Sequence, residues 1–253
     1  MEISQHISAL RDAGERLSSA AADAGPDAAV PSCPGWVVRD LVRHQGGVHR
    51  WAAGIVGTPR TEPWDVELDD VVGTWPDDAD LITWFGAGAD ALVRTLTQAD
   101  PGLACWTFLP APSPLAMWAR RQAHETSVHG VDAELAAGRP VTPFPAEFAA
   151  DGVAELLECF VPRGGRLKAD PARMLRVRCS DAAADWLISI GPGRVQTTPG
   201  DGQASNAADC EITGRAEDLY LTLWNRRPPE CLATAGDGQV LDLFLDRVRI
   251  RWS

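Results

Sequence analysis

Residues 117–135 read MWARRQAHETSVHGVDAEL. Pro114, suited to a helix's first turn, precedes them, and the breaker GRPVTPFP at 138–145 follows, so the spacing predicts a helix over about 114–137. At about 100° per residue, Glu125 and His129 lie roughly 40° apart, one turn above the other, and their side chains can converge. Trp118 and Gln122 share that side, with Val128, Val131 and Leu135 flanking it. A glutamate facing the inside of a bundle needs a cation or a proton. Glu and His at i, i+4 offer an oxygen and a nitrogen to a divalent metal. The plainer reading of the pair is a solvated or hydrogen-bonded one. His124 stands about 140° around the helix from His129, so HETSVH is not an HExxH zinc motif.

Working outward, three more helices precede this one. Ile3, Ile7, Leu10 and Leu17 recur at helical spacing over about 3–23. After the punctuated loop PDAAVPSCPG, a second helix is expected from about Trp36 to Val56, ended by Gly57 and Pro59. A polar acidic stretch leads to a third, capped by Asp77 or Asp78 and running to about Gln98. The second helix carries RDLVRHQGGVHRW, in which His44 and His49 diverge by about 140°. At most one joins Glu125 and His129, and periodicity does not choose between them. Trp51 and Trp118 could line a pocket, and Arg120/Arg121 or Arg226/Arg227 could hold an anion, although surface solvation is the plainer account of such arginines. Cys33, in PSCPGW, reads as a small packed residue rather than a nucleophile.

Beyond GRPVTPFP the periodicity changes. A helix over about 146–160 is followed by short alternating runs, MLRVRC, DWLISI, RVQTT and DCEITG, then by two helical segments, AEDLYLTLWNRR and DGQVLDLFLDRV. The expected architecture is α+β: a four-helix bundle over 1–140, in which a metal is one reading of the Glu125/His129 pair, then a small α+β domain over 146–253.

Composition narrows the function. With 45% hydrophobic and 23% charged residues in 253, the chain is an ordinary globular one. A net charge of -12 argues against a nucleic-acid partner and against docking on an anionic membrane. No run approaches the roughly 20 apolar residues of a membrane span, and MEISQHISALRDAGERL lacks a signal-peptide core. The six cysteines form no CxxC pair and are expected to be reduced thiols in a cytoplasm. No GxGxxG, P-loop or GxSxG motif is present.

SCPGWVVRDLVRHQGGVHRWAAGIV (32–56) and WARRQAHETSVHGVDAELAAGRP (118–140) resemble the mycothiol-dependent maleylpyruvate isomerase family. ADCEITGRAEDLYLTLWNRRPPE (208–230) and GDGQVLDLFLDRVRI (236–250) resemble the domain that accompanies it. The resemblance implies a DinB-like four-helix bundle followed by a small sterol-carrier-like domain. It implies a divalent metal, usually zinc, held by one His of the second helix and the Glu-x3-His pair. The first of these lies eight residues after the helix-start Trp, which here is His44, counted from Trp36; the pair is Glu125 and His129. It further implies mycothiol as cosubstrate and a small electrophilic substrate that is isomerised or receives the thiol; of the tryptophans and arginines named above, Trp118 and Arg121 are the expected contacts of that cosubstrate. The competing readings are a metal- or ligand-binding protein without turnover and a hydrolase using zinc-bound water.

Overall fold

The computed structural model describes residues 1–200 and 208–250. The expected α+β domain over 146–253 therefore includes ten positions, 201–207 and 251–253, that lie outside the described residues. The chain divides into two compact units, Met1–Thr142 and Pro143–Ser253.

The first unit is helical: α1 (Ile3–Ala24), α2 (Val38–Gly57), α3 (Leu68–Val72), α4 (Leu81–Gln98) and α5 (Pro114–Ala136). The four long helices begin and end within about three residues of where periodicity and breakers place them. Ser113 caps α5, its Oγ accepting from the Ala116 N–H at 3.1 Å, with Pro114 next. The short α3 falls in the polar acidic stretch before the third expected helix. Helix α1 packs mainly on α5 and α4, and α2 mainly on α4 and α5. Around the bundle the order is therefore α1, α5, α2, α4, with α1 and α2 on a diagonal. Leu10, Leu17, Leu41, Phe85, Leu92 and Trp118 fill the interior with no exposure, each worth about 1.5–3 kcal/mol on burial.

Helix α5 departs from the amphipathic pattern. From Met117 to Glu134 nearly every side chain is buried, among them Arg121, Gln122, His124, Glu125, Thr126, Ser127, His129 and Asp132. Polar groups survive inside a protein only when partnered, so this helix carries the unit's chemistry.

In the second unit, α6 (Ala146–Ala154) continues through a wider turn at Glu155–Phe160 and a tight one at Val161–Arg163. Then come β1 (Arg173–Cys179), β2 (Asp185–Ile190), β3 (Gln196–Pro199), β4 (Cys210–Gly214), α7 (Ala216–Leu223), β5 (Ala233–Gly236) and α8 (Gly238–Arg247). Among the described residues the sheet order is β3-β2-β1-β4-β5, parallel only between β1 and β4. Leu175, Val177, Ile188, Ile190 and Ile212 alternate onto the buried face. Helix α7 stops at Leu223, four residues short of the run AEDLYLTLWNRR, and Asn225 takes φ 64. Strand β5 has no signal in the sequence, because its exposed ATAG has no alternation; it is held by backbone pairing with β4.

Candidate metal centre

Adjacency of α2 and α5 brings together residues 81 positions apart. His44 on α2 and Glu125 and His129 on α5 each offer a ligand atom within 4.8 Å of the others. His129 Nε2 lies 3.4 Å and His44 Nε2 3.9 Å from Glu125 Oε1. The rings of His44 and His129 meet edge to face, with centroids 5.3 Å apart. Trp36 lies against both, stacked on His129 at 6.4 Å and edge-on to His44 at 5.1 Å. Glu125 and His129 are buried, so the solvated-pair reading of these residues is excluded. His44 Nε2 and Glu125 Oε1 are buried without a hydrogen-bond partner. Such orphaned atoms are costly unless a donor or a cation meets them, and two imidazoles with a carboxylate are a ligand set that suits zinc.

The second carboxylate oxygen has a different partner. Arg121 Nη2 donates to Glu125 Oε2 at 2.5 Å, one turn below on the same helix. Burial disfavours ionised Glu125, but the charge of Arg121 and the neighbouring His129 and His44 outweigh it, and the carboxyl titrates well below its usual range. His129 is likewise opposed by burial, yet Asp132 and Glu125 push it up to about 9.

Asp132 has no counterpart in the sequence reading. Its Oδ2 accepts from His129 Nδ1 at 2.8 Å and from Cys33 Sγ at 3.5 Å, and its Oδ1 accepts from Ser32 Oγ at 2.5 Å. Cys33, His129 and Asp132 also converge within 4.8 Å. HGVD places Asp132 three residues after His129, on the same face, and that spacing was the available signal. The part played by Ser32 and Cys33 depends on how the preceding loop folds back.

The remaining residues of interest are placed elsewhere. His49 Nε2 lies 2.8 Å from Thr126 Oγ1 and 2.9 Å from Gln45 Nε2. His124 faces the His6 ring at 6.1 Å. The divergence of about 140° thus separates both from the cluster. Trp118 is fully buried, packed with Trp51, Trp106 and Phe108, and its Nε1 donates to the Trp106 carbonyl at 2.9 Å. Arg121 is 1% exposed, so surface solvation does not account for it. Arg227 pairs with Asp218 and Glu217.

The chain was compared with known proteins. The model of the mycothiol maleylpyruvate isomerase N-terminal domain matches residues 7–134, and the model of the MDMPI C-terminal domain matches 147–243. The crystal structure of a mycothiol-dependent maleylpyruvate isomerase superposes with a TM-score of 0.65 at 12% identity, covering 93% of each chain. A point mutant of that enzyme gives the same values. At this identity the likeness speaks for the fold. No curated protein sequence matches.

Proposed function

Since the chain belongs to the mycothiol-dependent maleylpyruvate isomerase family, we propose that it is a divalent-metal enzyme. In this reading it uses mycothiol, a low-molecular-weight thiol, to isomerise a small electrophile about a double bond. Maleylpyruvate, named for its relatives, is the first substrate to test. The observation that carries the reading is the meeting of His44, Glu125 and His129 within 4.8 Å, with buried polar atoms that lack a hydrogen-bond partner on two of them. Three protein ligands are the number a catalytic zinc takes, leaving a position for substrate or cosubstrate. When bound, the ion would lower the thiol's pKa and keep it as thiolate near neutral pH.

The chain's own groups supply the rest. Arg121 holds Glu125 ionised and turns one oxygen away, leaving Oε1 for the centre. Trp36 covers the two imidazoles and limits their motion. Trp118 and Arg121, expected as contacts of the thiol, are buried; Arg121 also holds Glu125, and Trp118 packs with Trp51, Trp106 and Phe108. In the reaction, the sulfur adds to one carbon of the electron-poor double bond, whose π electrons move toward the adjacent carbonyl. The remaining single bond rotates. The electrons return, the sulfur leaves, and the trans isomer forms with the thiol regenerated. The six free cysteines suit the reducing cytoplasm in which such a thiol is kept.

The test is metal analysis followed by an assay with maleylpyruvate, with and without mycothiol. The expected result is about one zinc per chain, turnover only with thiol, and no thiol consumed, with His129→Ala losing both metal and turnover. Equal turnover without thiol rejects the reading. A stable thiol adduct as product would make the protein an S-transferase at the same site.

A further inference from the structure

The carboxylate of Asp132 stands behind His129, on the ring edge opposite Glu125. We infer that Asp132, anchored by Ser32 and Cys33, is a positioning residue that fixes the tautomer and rotation of His129. The inference rests on the reading of His129 as a metal ligand. An ionised carboxylate only accepts hydrogen bonds, so at 2.8 Å the His129 Nδ1 must carry the proton. That assigns the ring's other nitrogen, Nε2, to the face shared with Glu125 and His44. A ligating imidazole held by a carboxylate through its second nitrogen is a better oriented and more basic donor.

The carboxylate is itself held. Ser32 Oγ donates to Oδ1 at 2.5 Å and Cys33 Sγ to Oδ2 at 3.5 Å. Both come from the loop before α2, and Trp36, in the same loop, stacks on the His129 ring. One five-residue stretch, SCPGW (32–36), therefore fixes both the carboxylate and the flat face of the imidazole. The rival use of this cluster is a second ion held by Cys33, His129 and Asp132, which also lie within 4.8 Å. The structure favours the positioning role. Both carboxylate oxygens already accept hydrogens, Asp132 has no exposure, and Nδ1 cannot both donate to Asp132 and ligate an ion.

The test uses the full-length protein, stripped of metal and titrated with zinc against a chromophoric chelator. Its second readout is the visible spectrum after cobalt(II) substitution. Removing a carboxylate of this kind weakens metal binding by about 10–100-fold, so Asp132→Ala should lose that much zinc affinity and shift its cobalt bands. Ser32→Ala should lose a few-fold. Melting of the metal-free variants reports folding, and if Asp132→Ala does not fold, Ser32→Ala decides by the same readouts. Wild-type affinity and an unchanged cobalt spectrum in the folded variants overturn the inference while leaving the metal centre standing. A wild-type chain that takes up neither ion overturns the metal reading and this inference with it.

Discussion

Glu125 is asked to serve two cations, the guanidinium of Arg121 and whatever His44 and His129 hold, and this division makes an energetic prediction. With Glu125 replaced by Ala, Arg121 keeps its charge at 1% exposure and loses this carboxylate from among its partners. Breaking a buried pair from one side costs about 3–5 kcal/mol, whereas replacing both partners by apolar groups is close to neutral. In metal-free protein, Glu125→Ala should lower the denaturant midpoint markedly, and Arg121→Met/Glu125→Ala should recover most of the loss. A double variant as unstable as the single one would show that the pair contributes little. His49 sets a second, pH-linked expectation. Burial, with help from Arg50, pushes it down from 6.5 to about 3. Between those values the unfolded chain takes up a proton that the folded chain refuses. Its contribution is thus present above pH 6.5 and lost as pH falls toward 3, on the order of a few kcal/mol. The stability difference between wild type and His49→Gln should narrow on acidification from pH 7 to 4; a constant difference would reject this account.

Between elements, the contact of α2 with α4 is governed by two glycines. A Cβ on Gly46 would stand 2.2 Å from the ring of Trp84. That ring is held: the Arg50 guanidinium lies over it at 3.8 Å and donates to the Gly46 carbonyl at 3.0 Å and the Trp84 carbonyl at 2.8 Å. Arg50 in turn occupies the place of a Cβ on Gly88. Gly46→Ala should therefore lose about 1–3 kcal/mol to overpacking against a helix-propensity gain of about 1. The net is a destabilisation, read as a lower melting temperature. Gly86→Ala, whose Cβ meets nothing within 4 Å, should gain by about 0.5–1 kcal/mol. Elements of this kind were legible where side-chain pattern decides them. Helices α1, α2, α4 and α5 follow from apolar spacing and from Pro, Gly and Ser at their ends. Strand β5 and the short α3 have no such pattern. The same limit applies within the centre. Glu125 and His129 share a helix, so their convergence is a matter of angle alone. The choice of His44 over His49 depends on which helix neighbours α5 and how it is rotated, and periodicity leaves both histidines on shoulders of the same face. Asp132 lies within reach of the helical rule, three residues after His129, whereas its anchors in the loop at 32–33 are set by tertiary folding.

At the scale of the whole chain, the two units distribute polarity differently. In the sheet unit, fully buried Arg176 is gripped through Nε and Nη2 by Asp185, at 3.0 and 2.5 Å, on the neighbouring strand. The helical unit gathers most of its buried polar groups on one helix, with His6, Gln45 and His49 facing it from α1 and α2, and α5 between Met117 and Glu134 has almost no outward side. That feature bears on descent. A surface position changes stability by at most about 0.5 kcal/mol when mutated and can drift, but along α5 nearly every replacement meets packing, a hydrogen bond or the cluster itself. Lineages of this protein should diverge in α3 and β5, which are lightly buried, and change slowly along α5. A duplicated copy that had lost its chemistry would betray the loss first in that helix, by the replacement of its inward charges with alanine and leucine.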